Sequence, residues 1–145
     1  MIVDERLVTY INSLDTGNTE ILDQIEKEAI AAYVPIIRKE MQSFLKLLLA
    51  MQKPMRILEV GTAVGFSAIL MAQYAPADCK IVTIENYEKR IPVAKENFKR
   101  AGKDEQITLL EGDAMQILPT LSGEFDMIFM DAAKGQYINF MPDIL

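Results

Sequence analysis

Two glycines four residues apart follow a short apolar run near the middle of the chain. The segment from Arg56 to Ser67 reads RILEVGTAVGFS and contains Gly61 and Gly65. Glycine at 61 lacks the Cβ that would keep a ligand off the backbone, and Gly65 lets the next helix begin close to the strand with its free N–H groups facing the ligand. The pattern predicts a seat for a nucleotide-like cofactor, and a plain strand-to-helix turn is the alternative.

The spacing of this loop limits the class of ligand. Position 63 is Ala, so the loop is not the Gly-x-Gly-x-x-Gly pattern of dinucleotide sites. It also lacks the Gly-Lys-Ser/Thr ending of a phosphate loop. A pyrophosphate is therefore not the predicted ligand.

Acidic residues follow the later strand-like runs. Glu85 closes the second run, where a carboxylate can accept both hydroxyl hydrogens of a ribose. Asp113 follows the third run, where a carboxylate and free backbone N–H groups could meet an adenine edge, and Asp131 follows the fourth. The alternatives are a solvated strand-end acid for Glu85 and a helix N-cap for Asp113.

The secondary structure predicted to position these residues is helical in the first part of the chain and alternates between strands and helices in the rest. Helical patterns occupy residues 4–14, 19–33 and 39–51, with Asn18 or Thr19 as the predicted cap of the second. The predicted apolar side of the third consists of Phe44, Leu47, Leu48 and Met51.

Strand-like and helical stretches then alternate. The strand-like runs are 56–60, 80–85, 106–111 and 125–130, and the helical stretches are 66–75, 88–101 and 114–121. This repetition predicts an α/β fold with a Rossmann-like, doubly wound parallel sheet preceded by helices. The carboxyl ends of parallel strands share one edge, so Gly61, Glu85, Asp113 and Asp131 should lie together.

Composition limits the chemistry further. The 145 residues are half hydrophobic, carry a net charge of −6, and include one cysteine, Cys79, and no histidine. An intrachain disulfide, a cysteine-based metal cluster and histidine-based catalysis are excluded, so acid–base chemistry must use a carboxylate, Lys, Tyr or a cofactor. The sequence shows no membrane span and no secretory signal, and we expect a single soluble domain in a reducing cytoplasm.

Four segments of the chain resemble the cation-dependent O-methyltransferases, whose relatives include the catechol and caffeoyl-coenzyme A enzymes. They are Leu58–Ser67, Thr83–Glu85, Glu111–Ala114 and Asp131–Lys134. The resemblance runs from about residue 35 to the C-terminus. The start of the chain and Pro35–Glu40 are most similar to the bacterial enzymes that methylate 5-hydroxyuridine at the tRNA wobble position. The resemblance therefore implies Mg²⁺-dependent methylation of this nucleoside first, with a catechol-like small molecule as the alternative acceptor.

This resemblance implies that S-adenosylmethionine (SAM) binds in the glycine loop. It places Glu85 on the ribose, and Ile37 adds a backbone contact. It places further residues in two groups, which are Gly112, Asp113 and Ala114 near the adenine and Glu59, Gly61, Ala63 and Ser67 around the methionine part.

The resemblance also implies the catalytic group. Asp131 binds Mg²⁺ and lies at the cofactor, and Lys134 helps to deprotonate the acceptor hydroxyl. Methyl transfer is an in-line displacement that needs an aligned, deprotonated oxygen, which a hard dication and a neighbouring lysine favour. Without the resemblance, Asp131 and Lys134 would be a helix cap followed by a solvated lysine.

Part of the family's pattern is absent from the sequence. The chain stops at Leu145, inside the helix after the fourth strand, whereas the family continues through three more strands that supply the remaining metal ligands. We expect a truncated product or a fragment, with residues 1–53 as a helical segment packed on an incomplete SAM-binding half, 54–145. Such a chain is expected to bind SAM weakly and to have little or no catalytic activity without the missing part. In the sheet order 3-2-1-4, residues 125–130 become an exposed edge although they have the pattern of a central strand.

The partner classes follow from the resemblance. They are the tRNA anticodon loop or a small hydroxylated aromatic, together with a second copy of the chain in a homodimer. Near the cofactor mouth lies a basic run that is either a nucleic-acid contact or a solvated helix face, namely Arg38, Lys39, Lys46, Lys53 and Arg56.

Two other functions stay open. A nucleotide-dependent dehydrogenase would use the same strand ends, but the glycine spacing does not match it. The second alternative is a non-catalytic module, either a cofactor-binding remnant or an interaction domain built on the N-terminal helices.

Overall fold

A computed structural model describes residues 4–14, 17–131 and 137–144, without the side chains of 11, 12 and 137–140. The helices are α1 (Glu5–Ser13), α2 (Glu20–Ala31), α3 (Lys39–Gln52), α4 (Phe66–Tyr74), α5 (Ile91–Arg100), α6 (Ala114–Ile117) and α7 (Tyr137–Ile144). The strands are β1 (Arg56–Val60), β2 (Lys80–Glu85), β3 (Ile107–Glu111) and β4 (Met127–Met130). None of the helices in this described part of the chain has the length and apolar character of a membrane span.

The four strands form one parallel sheet. Their order is β3-β2-β1-β4, and each strand pairs in parallel with its neighbour. The predicted α/β class and strand order are therefore confirmed. Glu59 in β1 lies opposite Thr83 in β2 and Phe129 in β4. Within the described residues β4 pairs only with β1 and its side chains are half-buried, as expected of an edge strand.

One face of the sheet is covered by α4, which lies beneath a second layer of helices. Seven consecutive residues of α4, Phe66–Ala72, are buried because the sheet packs on one side and α2 and α3 on the other. Leu22 and Ile25 of α2 and Leu49 of α3 belong to the same apolar cluster as Ile57 of the sheet. The N-terminal helices therefore complete this face.

The predicted apolar side of α3 is wrong. Phe44, Leu47 and Met51 are 52%, 54% and 67% exposed, and the buried residues of this helix are Gln42, Leu45 and Leu49. Leucines, methionines and Phe44 occur on most sides of α3, so the helical period does not single out one face. The contact with α4 decides which side is buried.

Two local expectations also need correction. The predicted helix over 114–121 is instead α6 followed by a 3₁₀ turn, Leu118–Thr120, because Pro119 has no N–H to continue the helical ladder. Thr19 does stand at the N-cap of α2, but its side chain makes no capping hydrogen bond.

The opposite face of the sheet has a thinner cover. Leu58, Val60 and Ile84 form its buried centre, against which Ala114 of α6, Leu118 of the 3₁₀ turn and Ile144 of α7 pack.

The amino ends of β1 and β4 are fastened together. Asp126 Oδ2 accepts the amide N–H groups of Met55 and Arg56 at 2.8 and 2.9 Å. These two bonds hold the pKa of Asp126 below its ordinary value. The Arg56 guanidinium donates to the carbonyls of Ser122 and Glu124 and lies 4.6 Å from the centre of the Phe125 ring.

Candidate active site

The glycine loop follows β1, and its backbone has a left-handed conformation at three positions. The φ angles of Gly61, Ala63 and Gly65 are +101°, +51° and +89°. The amides of Gly61 and Thr62 both donate to the carbonyl of Ile84 in β2, at 2.9 and 3.2 Å. The loop is thereby turned across the end of β2, where Glu85 lies.

Glu85 is built into this loop. Its Oε2 accepts the amide of Ala63 at 2.9 Å, its Oε1 accepts the amide of Tyr87 at 3.2 Å, and the residue is 8% exposed. The alternative of a solvated acid is therefore wrong. Each carboxylate oxygen has two lone pairs, so both can accept a further hydrogen bond from a ligand hydroxyl.

The carboxyl group of Glu59 accepts hydrogen bonds from buried hydroxyl groups at both of its oxygens. Ser67 Oγ donates to one carboxyl oxygen, and Thr83 Oγ1 donates to the other at 2.6 Å. Thr62 Oγ1 lies 2.6 Å from Thr83 Oγ1, and because Thr83 spends its hydrogen on Glu59, Thr62 donates in that pair. Both oxygens of a fully buried carboxyl group thus have partners.

This environment makes Glu59 titrate near neutral pH. Burial raises its pKa to about 7 because desolvation penalises the charged form. Hydrogen bonds from Ser67 and Thr83 oppose the shift, and the carboxylates of Asp131 and Glu85 add to it. A cation placed next to Glu59 would favour its ionised form.

The loop after β3 lies next to Glu85. The amide of Gly112 donates to the carbonyl of Glu85 at 2.9 Å, and the φ angle of Gly112 is +141°. Asp113 Oδ1 accepts the amide of Met115 at 2.9 Å, so the N-cap interpretation of Asp113 is confirmed, and Ala114 begins α6. The adenine contacts expected of these three residues stay predictions.

Ile37 and Asp131 line a different part of the same edge. The amide of Asp131 donates to the carbonyl of Val60 at 2.9 Å, which extends the β1–β4 ladder by one bond, and its side chain is exposed. A cavity of about 590 Å³ contains both residues and has a mainly apolar wall of Pro35, Ile36, Met41 and Phe44. Lys134 lies outside the described residues.

The structure thus brings together Glu59, Gly61, Ala63, Ser67 and Glu85, with Gly112 beside them, and it places Ile37 and Asp131 on one cavity. Thr83 was not predicted as a site residue. The available signal was a polar residue between the apolar Val82 and Ile84 in the second strand-like run. Sequence reasoning also missed Asn97 of α5, which is buried and donates to the carbonyl of Val64 at 2.8 Å.

Much of the basic run is used within the chain. Lys39 pairs with Glu26 at 3.1 Å, and Lys46 donates to the carbonyl of Gly17 and lies 4.9 Å from the Tyr74 ring centre. Arg56 holds the start of β4, as described above. These contacts do not favour a continuous phosphate-binding face, and Arg38 remains at the cavity.

The sequence matches the O-methyltransferase family over residues 12–145. It is 41% identical over 101 residues to a catechol O-methyltransferase of Niastella koreensis, covering 67% of this chain and 46% of that protein. It is 34% identical over 135 residues to a catechol O-methyltransferase of Mycobacterium tuberculosis, covering 91% of this chain and 61% of that protein. The chain thus spans about half the length of these curated relatives.

Solved structures have the same fold. The SAH-bound methyltransferase PaMTH1 of Podospora anserina aligns with a TM-score of 0.88 at 31% identity, covering 97% of this chain and 62% of that chain. The O-methyltransferase TomG of Streptomyces achromogenes, in complex with SAM, aligns with a TM-score of 0.85 at 29% identity, covering 99% and 69%. By sequence and fold, this chain belongs to the O-methyltransferase family.

Proposed function

We propose that this chain forms the cofactor-binding part of a SAM-dependent O-methyltransferase. The observation that carries the proposal is the convergence of Glu59 and Glu85 on the left-handed loop from Gly61 to Gly65. Family membership supports it, as do the SAM and SAH complexes of structural relatives. The cofactor, when bound, supplies an electrophilic methyl group on a sulfonium ion.

The chain's own residues fit such a ligand. The remaining lone pairs of Glu85 would accept the two ribose hydroxyls, and the loop from Gly112 to Ala114 would border the adenine. Glu59, with a pKa of about 7, would be held ionised by the ammonium of the methionine part. Around the cofactor we also place Gly61, Ala63, Ser67 and Asp131, with a backbone contact from Ile37.

A metal would meet only part of its ligand set among the described residues. They contain no group of three or more His, Cys, Asp or Glu residues placed to hold a metal ion. Asp131 is exposed at the cavity and fits as a single carboxylate ligand of Mg²⁺, which commonly binds through one or two carboxylates and keeps several waters. Bound there, Mg²⁺ would stabilise an acceptor oxyanion, and we propose that Lys134 takes the hydroxyl proton.

The cavity suggests a class of acceptor. Its wall of Pro35, Ile36, Met41 and Phe44 would pack on a flat aromatic ring, with Asp131 at one side for the hydroxyl. We therefore propose a small hydroxylated aromatic, the class in the names of the catechol relatives. The 5-hydroxyuridine of tRNA is the second candidate, supported by the resemblance of Pro35–Glu40 and by Arg38 at the cavity.

Isothermal titration of the chain with SAM, with and without Mg²⁺, tests the proposal. We expect binding that Mg²⁺ changes little, because Asp131 is the single metal ligand proposed among the described residues and most of the proposed cofactor contacts come from other residues. NAD in place of SAM should not bind, since the loop lacks the dinucleotide glycines. A folded chain that binds NAD or no cofactor would contradict the proposal.

A transfer assay with labelled SAM then compares the acceptors. Catechol and a tRNA anticodon stem-loop bearing 5-hydroxyuridine are supplied separately, each with Mg²⁺. Labelling of catechol alone supports the aromatic class, and labelling of the stem-loop alone supports the second candidate. Size-exclusion chromatography at several concentrations tests the homodimer, which stays a prediction.

A further inference from the structure

Gln42 is a buried polar residue in the first turns of α3. It is 1% exposed, and its side chain makes three hydrogen bonds to three different segments. Nε2 donates to Glu26 Oε2 at 2.9 Å and to the carbonyl of Ile37 at 2.8 Å, and Oε1 accepts from Asn18 Nδ2 at 2.9 Å. No site residue predicted above occupies this position.

The three partners fix which way the amide points. An ionised Glu26 and a backbone carbonyl can only accept, so both must face the NH₂ group of Gln42. Asn18 uses its own NH₂ group and therefore faces the oxygen. Glu26 is in turn held by Lys39 at 3.1 Å. The donor to Ile37 is thus determined by groups on α2, α3 and the preceding loop.

Ile37 belongs to the short connection between α2 and α3. Residues 35–38 of this connection line the cavity of about 590 Å³ together with Asp131. The carbonyl of Ile37 accepts a hydrogen bond from the buried amide of Gln42, so the connection is attached to α3 at a residue that also lines the cavity.

We propose that Gln42 is a positioning residue that sets the connection 35–38 for cofactor and acceptor binding. The proposal rests on the proposed function, in which Ile37 meets the cofactor. Gln42 touches no ligand in this role and acts through Ile37 alone. A purely structural role would lower stability without changing the affinity of the folded chain.

Two substitutions of Gln42 separate these roles. Gln42→Met keeps the length of the side chain and removes all three hydrogen bonds. Gln42→Glu can accept from Asn18, but it can donate to Ile37 only while the introduced carboxyl is protonated. Glu26 and Lys39 are the charged groups near it, and a buried carboxyl beside Glu26 titrates above its usual range. Ile25→Val on α2 is the control for lost stability, because it removes one buried methylene and none of these bonds.

The measurements are the Kd for SAM, taken well below each melting temperature, and ¹⁵N order parameters of residues 36–38 without ligand. For Gln42→Met we expect a Kd raised about tenfold, as for the loss of one buried hydrogen bond, and order parameters below about 0.6. Ile25→Val should change neither. For Gln42→Glu the Kd relative to the unsubstituted chain should rise as pH increases.

Gln42→Met with unchanged order parameters and unchanged Kd would overturn the proposal and leave a structural role. So would equal losses of affinity in Gln42→Met and Ile25→Val. If the unsubstituted chain does not bind SAM, the proposed function fails for this chain. The order parameters would still decide whether Gln42 positions the connection.

Discussion

The carboxyl ends of β1 and β4 are neighbours in the sheet but differ in how completely their polar groups are satisfied. At β1 and β2, the carboxyl groups of Glu59 and Glu85 are buried and every oxygen has a partner within the chain. At β4, Asp131 is exposed on a half-open cavity. The difference indicates a preformed cofactor side and an acceptor side whose chemistry depends on added groups.

If the cofactor side is preformed, the largest loss of stability is expected from a substitution in its glycine loop, at Gly65. A Cβ there would lie 2.6 Å from Cε1 of Phe98, and the φ angle of +89° is unfavourable for other residues. We expect Gly65→Ala to lower the free energy of unfolding by about 4 kcal/mol, from overpacking and strain together. Urea unfolding measures the loss.

Gly102→Ala is the matched control for Gly65→Ala. Its φ angle is +67°, but nothing lies within 4 Å of the added Cβ. A loss of about 1 kcal/mol is expected from the backbone conformation alone. Equal losses in the two variants would show that the close approach to Phe98 is unimportant.

The pKa of Glu59 predicts a pH dependence of stability. The ordinary value is 4.5 and the folded value is about 7, so between these limits the folded chain keeps a proton that the unfolded chain releases. The contribution of Glu59 is therefore present at low pH and is lost as pH rises from 4.5 to 7, by up to about 3 kcal/mol.

Urea unfolding of the ligand-free chain and of Glu59→Gln across this pH range tests that assignment. The substituted chain should lose less stability as pH rises. SAM affinity should show the opposite trend, increasing as pH rises through 7, because the ligand's ammonium favours ionised Glu59. Parallel curves for the two proteins would assign the pH dependence to other groups.

Glu85→Ala tests whether the acids at the strand ends are equivalent. We expect the Kd for SAM to rise about 100-fold, since one carboxylate is proposed to accept two ribose hydroxyls and also holds the amides of Ala63 and Tyr87. Glu111 is the control, because it pairs with Glu85 in register but is exposed and bonded to Lys95. Glu111→Ala should change the Kd by less than about twofold, and similar losses would contradict the assignment.

Asp131→Asn should have the smallest effect on the folded chain. The residue is exposed and its side chain is not part of the sheet, so we expect the free energy of unfolding to stay within about 0.5 kcal/mol. Affinity for SAM should change little, whereas any Mg²⁺-dependent methyl transfer that the chain supports should be lost. A large loss of stability would show that the β4 end is as tightly built as the β1 end.

Sequence patterns were sufficient for the parts of the molecule that depend on neighbouring residues. The glycine loop, Glu85 and the cap at Asp113 follow from local spacing, and the strand order was expected from the family resemblance. The hydroxyl chain was not predictable, because Thr83 meets Glu59 only through the β1–β2 register. The buried side of α3 was also missed, since a buried glutamine becomes favourable only when Asn18, Glu26 and Ile37 supply its partners.

The fastening of β4 to β1 has a consequence for the kinetics of folding. The bond from the Met55 amide to Asp126 joins residues 71 apart in sequence, whereas Thr83 and Glu59 are 24 apart. Closing the longer loop costs about 1 kcal/mol more in chain entropy. We therefore expect β1, β2 and β3 to associate first and β4 to dock late, so that substitutions at Asp126 mainly accelerate unfolding and leave the folding rate nearly unchanged.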